Sequence, residues 1–182
     1  MRTSWELFAS ELELSDCAKL YPGSNLVIGR GSHTPRIVFV GEAPGAEEDA
    51  QQLPFVGRSG QMLDAWIVAC GLSANDYYIC NVMKTRPPQN RDPTKEEVGV
   101  CGPWLNRQLT LLKPQLVVAV GRFAMNYFLP NEKSILKASG SVYDANGMRV
   151  FVMPHPSYFI RRGGKGWGLY VDALKAKIDL KK

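Results

Sequence analysis

Val40-Gly-Glu-Ala-Pro-Gly-Ala-Glu-Glu-Asp49 is the stretch from which the fold of this chain can be worked out. Its first residue is the last one of the short apolar run 36–40, which has the length and composition of a buried strand. The segment 60–70 that comes later places apolar residues at helical spacing. A strand that ends in a Gly/Pro turn and leads to a helix is typical of an open parallel sheet, where ligands bind at the carboxyl ends of the strands. We therefore expect the functional site at this turn.

The rest of the chain repeats this alternation of strand and helix. Three further apolar runs predict strands at 77–81, 116–120 and 149–153, and 130–148 is interpreted as a linker with one candidate short strand. Strands that alternate with helices pair in parallel, so the predicted fold class is α/β, a three-layer α/β/α sandwich with a central four-stranded parallel sheet. One domain over 1–182 is expected. The predicted helices are 3–20, 60–70, 94–112, one beginning at 121–129, and 166–180.

Composition limits the classes of protein to which the chain can belong. Its 182 residues carry a net charge of +5, which weakly favours an anionic partner. The excess of basic residues in 161–182 is either a solvated tail or a flank that faces phosphates, and the sequence leaves both open. No apolar run approaches the length of a membrane span and the first residues lack a signal-peptide core, so a soluble cytoplasmic protein is expected. The four cysteines form no CxxC pair, and their spacing predicts no metal site.

Three polar residues follow predicted strands and should meet in one cleft. Glu42, Asn81 and His155 come at the carboxyl ends of three strands, which share one edge of a parallel sheet. No phosphate-binding GxxxxGK[ST] or GxGxxG motif is present. A carboxylate can activate water, an amide can read a base edge, an imidazole can donate to an oxygen that gains charge, and Phe55 can stack on a flat ring. This set fits the hydrolysis of a heterocycle that has been flipped out of a nucleic acid.

Five motifs, in this order along the chain, resemble the uracil-DNA glycosylase superfamily and most of all its family four. They are Gly41-Glu-Ala-Pro-Gly45 with the acids after it, Pro54-Phe-Val-Gly57, Asn81 to Pro88, Asn90-Arg-Asp-Pro-Thr94 and His155-Pro-Ser157. The resemblance covers about 25–180. It implies a four-stranded parallel sheet with helices on both sides and a monofunctional DNA glycosylase of base excision repair. Such an enzyme uses water to release uracil from flipped deoxyuridine in single- or double-stranded DNA, leaves an abasic site and acts as a monomer.

The resemblance also assigns roles to individual residues. Glu42 and His155 are expected to be catalytic, the first by positioning water and the second near uracil O2. Ala43, Phe55 and Asn81 are expected to bind the base. The residues expected to contact DNA are Pro44, Gly45, Lys84, Arg86, Arg91, Ser157 and Arg161.

The chain departs from family four at the residues that hold its [4Fe-4S] cluster. That family uses four cysteines, two of them in an N-terminal CxxC. Here Thr85 occupies the third position, Cys101 matches the fourth, and the N-terminal region has Cys17 without a CxxC. Because a cluster needs its thiolates, we predict no cofactor and no metal. Cys17 and Cys101 can still lie near each other, as free thiols or core residues. The loop 86–93 lacks the histidine of relatives that trap DNA covalently, so that variant is rejected.

Other interpretations of the same residues remain open at this point. Glu42 could be a surface turn acid, Asn81 a turn former and His155 a buried histidine with all its hydrogen bonds made. At the level of function, the alternatives are a non-catalytic DNA-lesion-binding protein, a deaminated-base recognition protein of broader specificity, and a small-molecule α/β enzyme. The basic flank and the Phe55 loop count against the last of these.

Overall fold

The computed structural model describes residues 3–178. The end of the predicted helix 166–180 and both ends of the predicted domain 1–182 therefore lie outside the described residues. No helix within 3–178 is long and apolar enough to cross a membrane. The elements, in chain order, are α1 (Ser4–Leu14), β1 (Arg30–Gly31), β2 (Ile37–Gly41), α2 (Ala46–Gln51), α3 (Arg58–Ala69), β3 (Tyr77–Asn81), α4 (Lys95–Leu112), β4 (Leu116–Val120), α5 (Arg122–Phe128), α6 (Ile135–Ala138), β5 (Val142–Ala145), β6 (Met148–Met153), α7 (Pro156–Ile160) and α8 (Gly168–Lys175), with a 3-10 turn at Pro88–Asn90.

Within residues 3–178 the sheet has six strands, in the order β1-β3-β2-β4-β6-β5. Its four inner strands, β3, β2, β4 and β6, pair in parallel and are the four strands predicted from the sequence. The prediction of a four-stranded sheet is corrected by two antiparallel edge strands, β1 and β5. A hairpin joins β5 to β6, and Asn146 and Gly147 both have positive φ there, as a two-residue type I′ turn requires. The candidate short strand in 130–148 is β5.

Helices cover both faces of the sheet, which confirms the three-layer arrangement. Along β2, Val38 and Val40 pack into a core with α1, α4 and α5, whereas Ile37 and Phe39 pack into a second core with α3, α7 and α8. All five residues of β2 and of β4 are buried. Strands buried on both faces have continuous apolar runs, and this explains why they were recognisable in the sequence.

A disulfide joins the N-terminal segment to α4. Cys17 and Cys101 are bonded across a sequence separation of 84, with Cα atoms 5.1 Å apart, and both are fully buried. The prediction that they are free thiols is therefore wrong. Their location in the core was foreseen, but sequence spacing gave no reason to pair them. The two remaining cysteines, Cys70 and Cys80, are free and buried, as expected of small apolar residues.

Two helix starts follow the chemistry of their first residues. The Thr94 side chain accepts from the Glu97 amide while the Glu97 carboxylate accepts from the Thr94 amide, so the predicted capping box begins α4. Thr3 and Glu6 form the same box at α1. That helix ends at Leu14, before the predicted limit of residue 20, and leaves 15–25 as an irregular segment that runs toward the carboxyl edge of the sheet.

Candidate active site at the carboxyl edge of the sheet

A cleft of about 940 Å³ opens at the carboxyl ends of the inner strands. Glu42 directly follows β2, Asn81 is the last residue of β3, and His155 comes two residues after β6. The structure brings all three to this cleft, together with Phe55, as the strand-end argument predicted. Gly41 makes the close packing possible, because a Cβ there would lie 2.6 Å from the Phe55 ring and would also overlap the Asn81 amide.

The Glu42 carboxyl lies half-buried on the cleft wall. Burial raises its pKa above the ordinary value, the nearby Asp92 carboxylate raises it further, and the Arg122 guanidinium partly opposes both. A carboxylate with a raised pKa binds a proton more strongly, which suits a group that must take a proton from water.

His155 is held as a neutral imidazole with a defined tautomer. Burial lowers its pKa to about 4, the positive charge of Arg161 lowers it as well, and Glu48 weakly opposes the shift. Its Nδ1 accepts from the Ser157 backbone amide at 3.2 Å and lies 2.8 Å from the Ser157 hydroxyl. Because Nδ1 acts as an acceptor, the single proton of the neutral ring is on Nε2. The side chain thus caps α7 with one nitrogen and keeps a donor on the other.

Asn81 is fixed by the sheet and by a lysine beneath it. Its Cα pairs with that of Gly41 at the end of two parallel strands, and its side chain is only 2% exposed. The Lys84 ammonium donates to the Asn81 carbonyl at 2.7 Å and to Gln108 Oε1 at 2.6 Å. Lys84 is fully buried, and that burial lowers its pKa. The prediction that Lys84 contacts a DNA phosphate is therefore wrong, since the residue supports Asn81 from inside the protein.

Glu48 ties the acidic turn to the loop that carries Phe55. Its carboxylate accepts from three backbone amides, those of Gly45 at 3.1 Å, Val56 at 3.0 Å and Gly57 at 3.1 Å. These bonds join the start of α2 to the start of α3. The Phe55 ring is thereby held with its centroid 6.0 Å from that of His155. The acidic turn after β2 and the loop that carries Phe55 therefore form one hydrogen-bonded unit.

Comparison with known proteins agrees with this geometry. The model of the uracil DNA glycosylase superfamily matches residues 28–177. The chain belongs to the uracil DNA glycosylase superfamily. It is 43% identical over 163 residues to the type-4 uracil-DNA glycosylase of Thermotoga maritima, covering 87% of this chain and 85% of that protein. The type-4 protein of Archaeoglobus fulgidus is 42% identical over 147 residues, covering 76% and 74%. A type-5 protein of Pyrobaculum aerophilum is 34% identical over 148 residues.

The remaining residues predicted to bind DNA are spread over the rim of this glycosylase cleft and its surroundings. Gly45, Ser157 and Arg161 line the cleft, as does Ala43, which was predicted to bind the base. Three others do not line it: Pro44 is buried, Arg86 is half-buried and donates to Asn90 Oδ1, and Arg91 is exposed and makes a bidentate pair with Glu97.

Among the residues that line the cleft, sequence reasoning assigned no role to several polar side chains outside the acidic turn, namely Arg58, Ser59, Asn90, Asp92 and Arg122. Arg122 was within reach of the argument, because it follows β4 at the same edge of the sheet. It pairs there with Asp92 at 3.0 Å. Asn90 and Asp92 had a weaker signal, since they stand in a motif of the resemblance that was given no role.

The residues at the positions of the type-4 cluster cysteines do not fit an iron–sulfur cluster. The two sulfurs present, on Cys17 and Cys101, are bonded to each other. The Thr85 hydroxyl donates to the Cys17 carbonyl at 3.4 Å. Within 3–178, no group of three or more histidine, cysteine or acidic side chains could hold a metal. A disulfide and a hydroxyl cannot supply the four thiolates that a [4Fe-4S] cluster takes.

Proposed function

We propose that this protein is a uracil-DNA glycosylase of base excision repair, which hydrolyses the N-glycosidic bond of flipped-out deoxyuridine to give free uracil and an abasic site. The observation that carries the proposal is the convergence of Glu42, Asn81, His155 and the Phe55 ring in one cleft of a superfamily member. The relatives with the highest identities reported above are named type-4 uracil-DNA glycosylases, and they are matched over most of their length.

In the proposed reaction, recognition comes before bond breakage. Uracil stacks on Phe55 beside Ala43, and the Asn81 amide, with a donor and an acceptor, pairs with the uracil edge. The bond between C1′ and N1 then breaks, and its electron pair goes to the uracil ring, where O2 gains negative charge. The neutral His155 ring donates from Nε2 to that oxygen, which stabilises the leaving group without transferring a proton. Water adds to C1′ as Glu42 accepts its proton. The uracil anion then leaves and takes up a proton from bulk water, to which Glu42 releases its own.

The same geometry supports a monofunctional enzyme. A glycosylase that also cleaves the strand uses an amine to form a Schiff base with the sugar. None of the residues that line the cleft in the described part of the chain is a lysine. Lys84 lies behind the cleft, and its ammonium is engaged with Asn81 and Gln108. The proposed product is therefore an intact strand with an abasic site.

The proposed partner is uracil-containing DNA, single- or double-stranded, bound by a monomer that functions as one domain in the cytoplasm. Gly45 would run beside the flipped nucleotide with the buried Pro44 directly behind it, and Ser157 and Arg161 would contact its phosphates at the rim of the cleft. Arg86 and Arg91 would contact phosphates farther along the strand. Such contacts give affinity that depends on salt but not on base sequence.

The proposed enzyme contains no iron–sulfur cluster. The Cys17–Cys101 disulfide and the Thr85 hydrogen bond join the segments that cluster thiolates would otherwise join. Freshly purified protein tests this directly through its iron content and its absorbance near about 400 nm, where clusters absorb. Stoichiometric iron with a brown chromophore would disprove the absence of the cluster and leave the proposed activity standing.

A gel assay tests the activity. A labelled oligonucleotide with one uracil is incubated with the protein and then with alkali, which cleaves abasic sites. We expect cleavage by the wild type and by Glu13→Gln, an exposed acid on α1, and its loss in Glu42→Gln. No cleavage by the wild type in either single- or double-stranded DNA would refute the proposal. Binding without cleavage would instead identify a lesion-binding protein, and parallel substrates with hypoxanthine or xanthine would detect broader specificity.

A further inference from the structure

The loop that carries Phe55 is held in a backbone conformation that it would not keep by itself. Phe55 has a φ of 55°, in the left-handed region that residues with a large side chain rarely enter. Such conformations persist where the surrounding contacts fix them, and they occur disproportionately at functional sites. The helix beside the loop adds a steric limit, because a Cβ at Gly60 would overlap the Phe55 carbonyl. The contacts that fix this residue therefore decide where its ring stands.

Arg30 binds the carbonyl side of this loop. Its Nε donates to the Pro54 carbonyl at 3.0 Å, and its Nη2 donates to the Phe55 carbonyl at 3.3 Å. The same Nη2 bonds to Asp64 Oδ1 at 2.6 Å, which orients the guanidinium from α3. Arg30 lies on β1, at the edge of the sheet, and does not line the cleft.

Glu48 binds the amide side of the same loop, through the amides of Val56 and Gly57. A guanidinium can only donate and a carboxylate can only accept, so the two side chains hold opposite edges of one stretch of backbone. The two anchors come from separate elements, β1 and α2, and both are charged. Hydrogen bonds that involve a charged group are about twice as strong as neutral ones.

We propose that Arg30, oriented by Asp64, is a positioning residue for uracil recognition, because it sets the Phe55 ring at the height and tilt needed to stack on the flipped base. This proposal rests on the proposed glycosylase function. It assigns to Arg30 no contact with DNA or with the reacting atoms. Loss of Arg30 lets the Phe55 backbone relax and moves the ring, while the phosphate contacts at the cleft rim stay in place.

The first experiment compares Arg30→Met with Arg36→Met. Both arginines pair with an aspartate and are partly exposed. Arg36, however, pairs with Asp76 at the amino end of β2, which is the end far from the cleft. We expect Arg30→Met to weaken inhibition by free uracil and to lower kcat/KM on uracil-containing DNA by about tenfold each, as fits the loss of charged hydrogen bonds. Affinity for abasic-site DNA should stay at the wild-type level, because that ligand has no base to stack. Arg30→Lys, which keeps the charge but not the fork of donors, should recover part of the loss.

The second experiment tests whether Arg30 acts through Phe55. In a Phe55→Leu background the further change Arg30→Met should cost less than about twofold, since contacting residues that work through one element are not additive. An undiminished tenfold cost in that background would overturn the positioning role. So would equal effects of Arg30→Met and Arg36→Met, or a parallel loss of abasic-DNA binding and thermal stability. If the wild type excises no uracil at all, it is the proposed function that fails, and free-uracil binding still tests the role of Arg30.

Discussion

Breaking the Cys17–Cys101 disulfide should lower the stability of the fold and leave the chemistry of the cleft intact. The bond closes a loop with a sequence separation of 84. Loop-closure entropy for that length gives about 4.5 kcal/mol at 25 °C, whereas measured effects of disulfides are typically about 2–4 kcal/mol. Native proteins are stable by about 5–15 kcal/mol, so the bond accounts for a substantial fraction. For a chain of this size, about 3 kcal/mol corresponds to a fall in Tm of about 6–12 °C.

Thermal unfolding of the oxidised and reduced protein measures this effect. Both sulfurs are fully buried, so reduction requires unfolding in reductant followed by refolding in it. The double variant Cys17→Ala/Cys101→Ala should melt at the reduced wild-type temperature and should not respond to reductant. Cys70→Ala, which removes a buried free thiol, should keep the response. Uracil excision at 25 °C should remain close to the wild-type rate in every variant.

Two results would refute this reasoning. One is an oxidised wild type that melts at the same temperature as the double variant. The disulfide would then not lower the conformational entropy of the unfolded chain enough to affect stability. The other is a purified wild type that contains bound iron and in which Cys17 and Cys101 are thiols, because these cysteines would then serve as ligands. A large loss of excision in a variant that is still folded would show instead that the catalytic residues do not keep their positions without the disulfide.

Three further predictions concern the cleft. Glu42→Gln should lower the single-turnover rate constant of excision by about 10²–10⁴-fold and leave gel-shift affinity for uracil-containing DNA intact, because only proton acceptance from water is lost. Burial raises the pKa of Glu42 and its base form is required, so the pH profile of kcat/KM should begin its acid fall at a higher pH than an ordinary glutamate would give. It should fall further at about pH 4 as His155 becomes protonated; an acid limb unchanged by Glu42→Gln would contradict this assignment. Arg161→Met should reduce by about 1 the slope of log affinity against log salt, whereas Arg149→Met, at the other end of the sheet, should leave it unchanged.

The parts of the fold that sequence reasoning found are those with a local signal. Each inner strand is an apolar run between turn residues, because the sheet is covered on both faces. The edge strands have no such run: β1 has two residues, and β5 has four, which are interrupted by Asp144 and of which only Ala145 is buried. Asn146-Gly147 was nevertheless a strong hairpin signal, and its significance was missed. The information for β5 lay in its turn and not in its strand.

For the site, the rule that the carboxyl ends of strands converge was enough to find Glu42, Asn81 and His155. The rule does not predict the environment of residues such as Lys84, which are buried by contacts distant in sequence. A lysine in a motif of a DNA-binding family suggests a phosphate contact, yet Lys84, in the loop after β3, is buried against Gln108, which lies 24 positions away on α4. Burying an ammonium requires partners, and these partners become neighbours only after the helices have packed on the sheet. The pairing of Cys17 with Cys101 was hidden for the same reason.

The positions at which this chain lacks the cysteines of the type-4 pattern lie in contacts that hold the walls of the cleft in place. They do not include the residues proposed to carry out the reaction. The irregular segment 15–25 contacts the loop that follows Asn81 at several points. Thr85 donates to the Cys17 carbonyl, Ser24 donates to the Arg86 carbonyl at 2.9 Å, and the Arg91 guanidinium lies 5.7 Å from the centre of the Tyr21 ring. That loop runs on to Asn90 and Asp92 at the cleft. Because the disulfide fixes the N-terminal segment against α4, it also fixes the surface on which this loop rests.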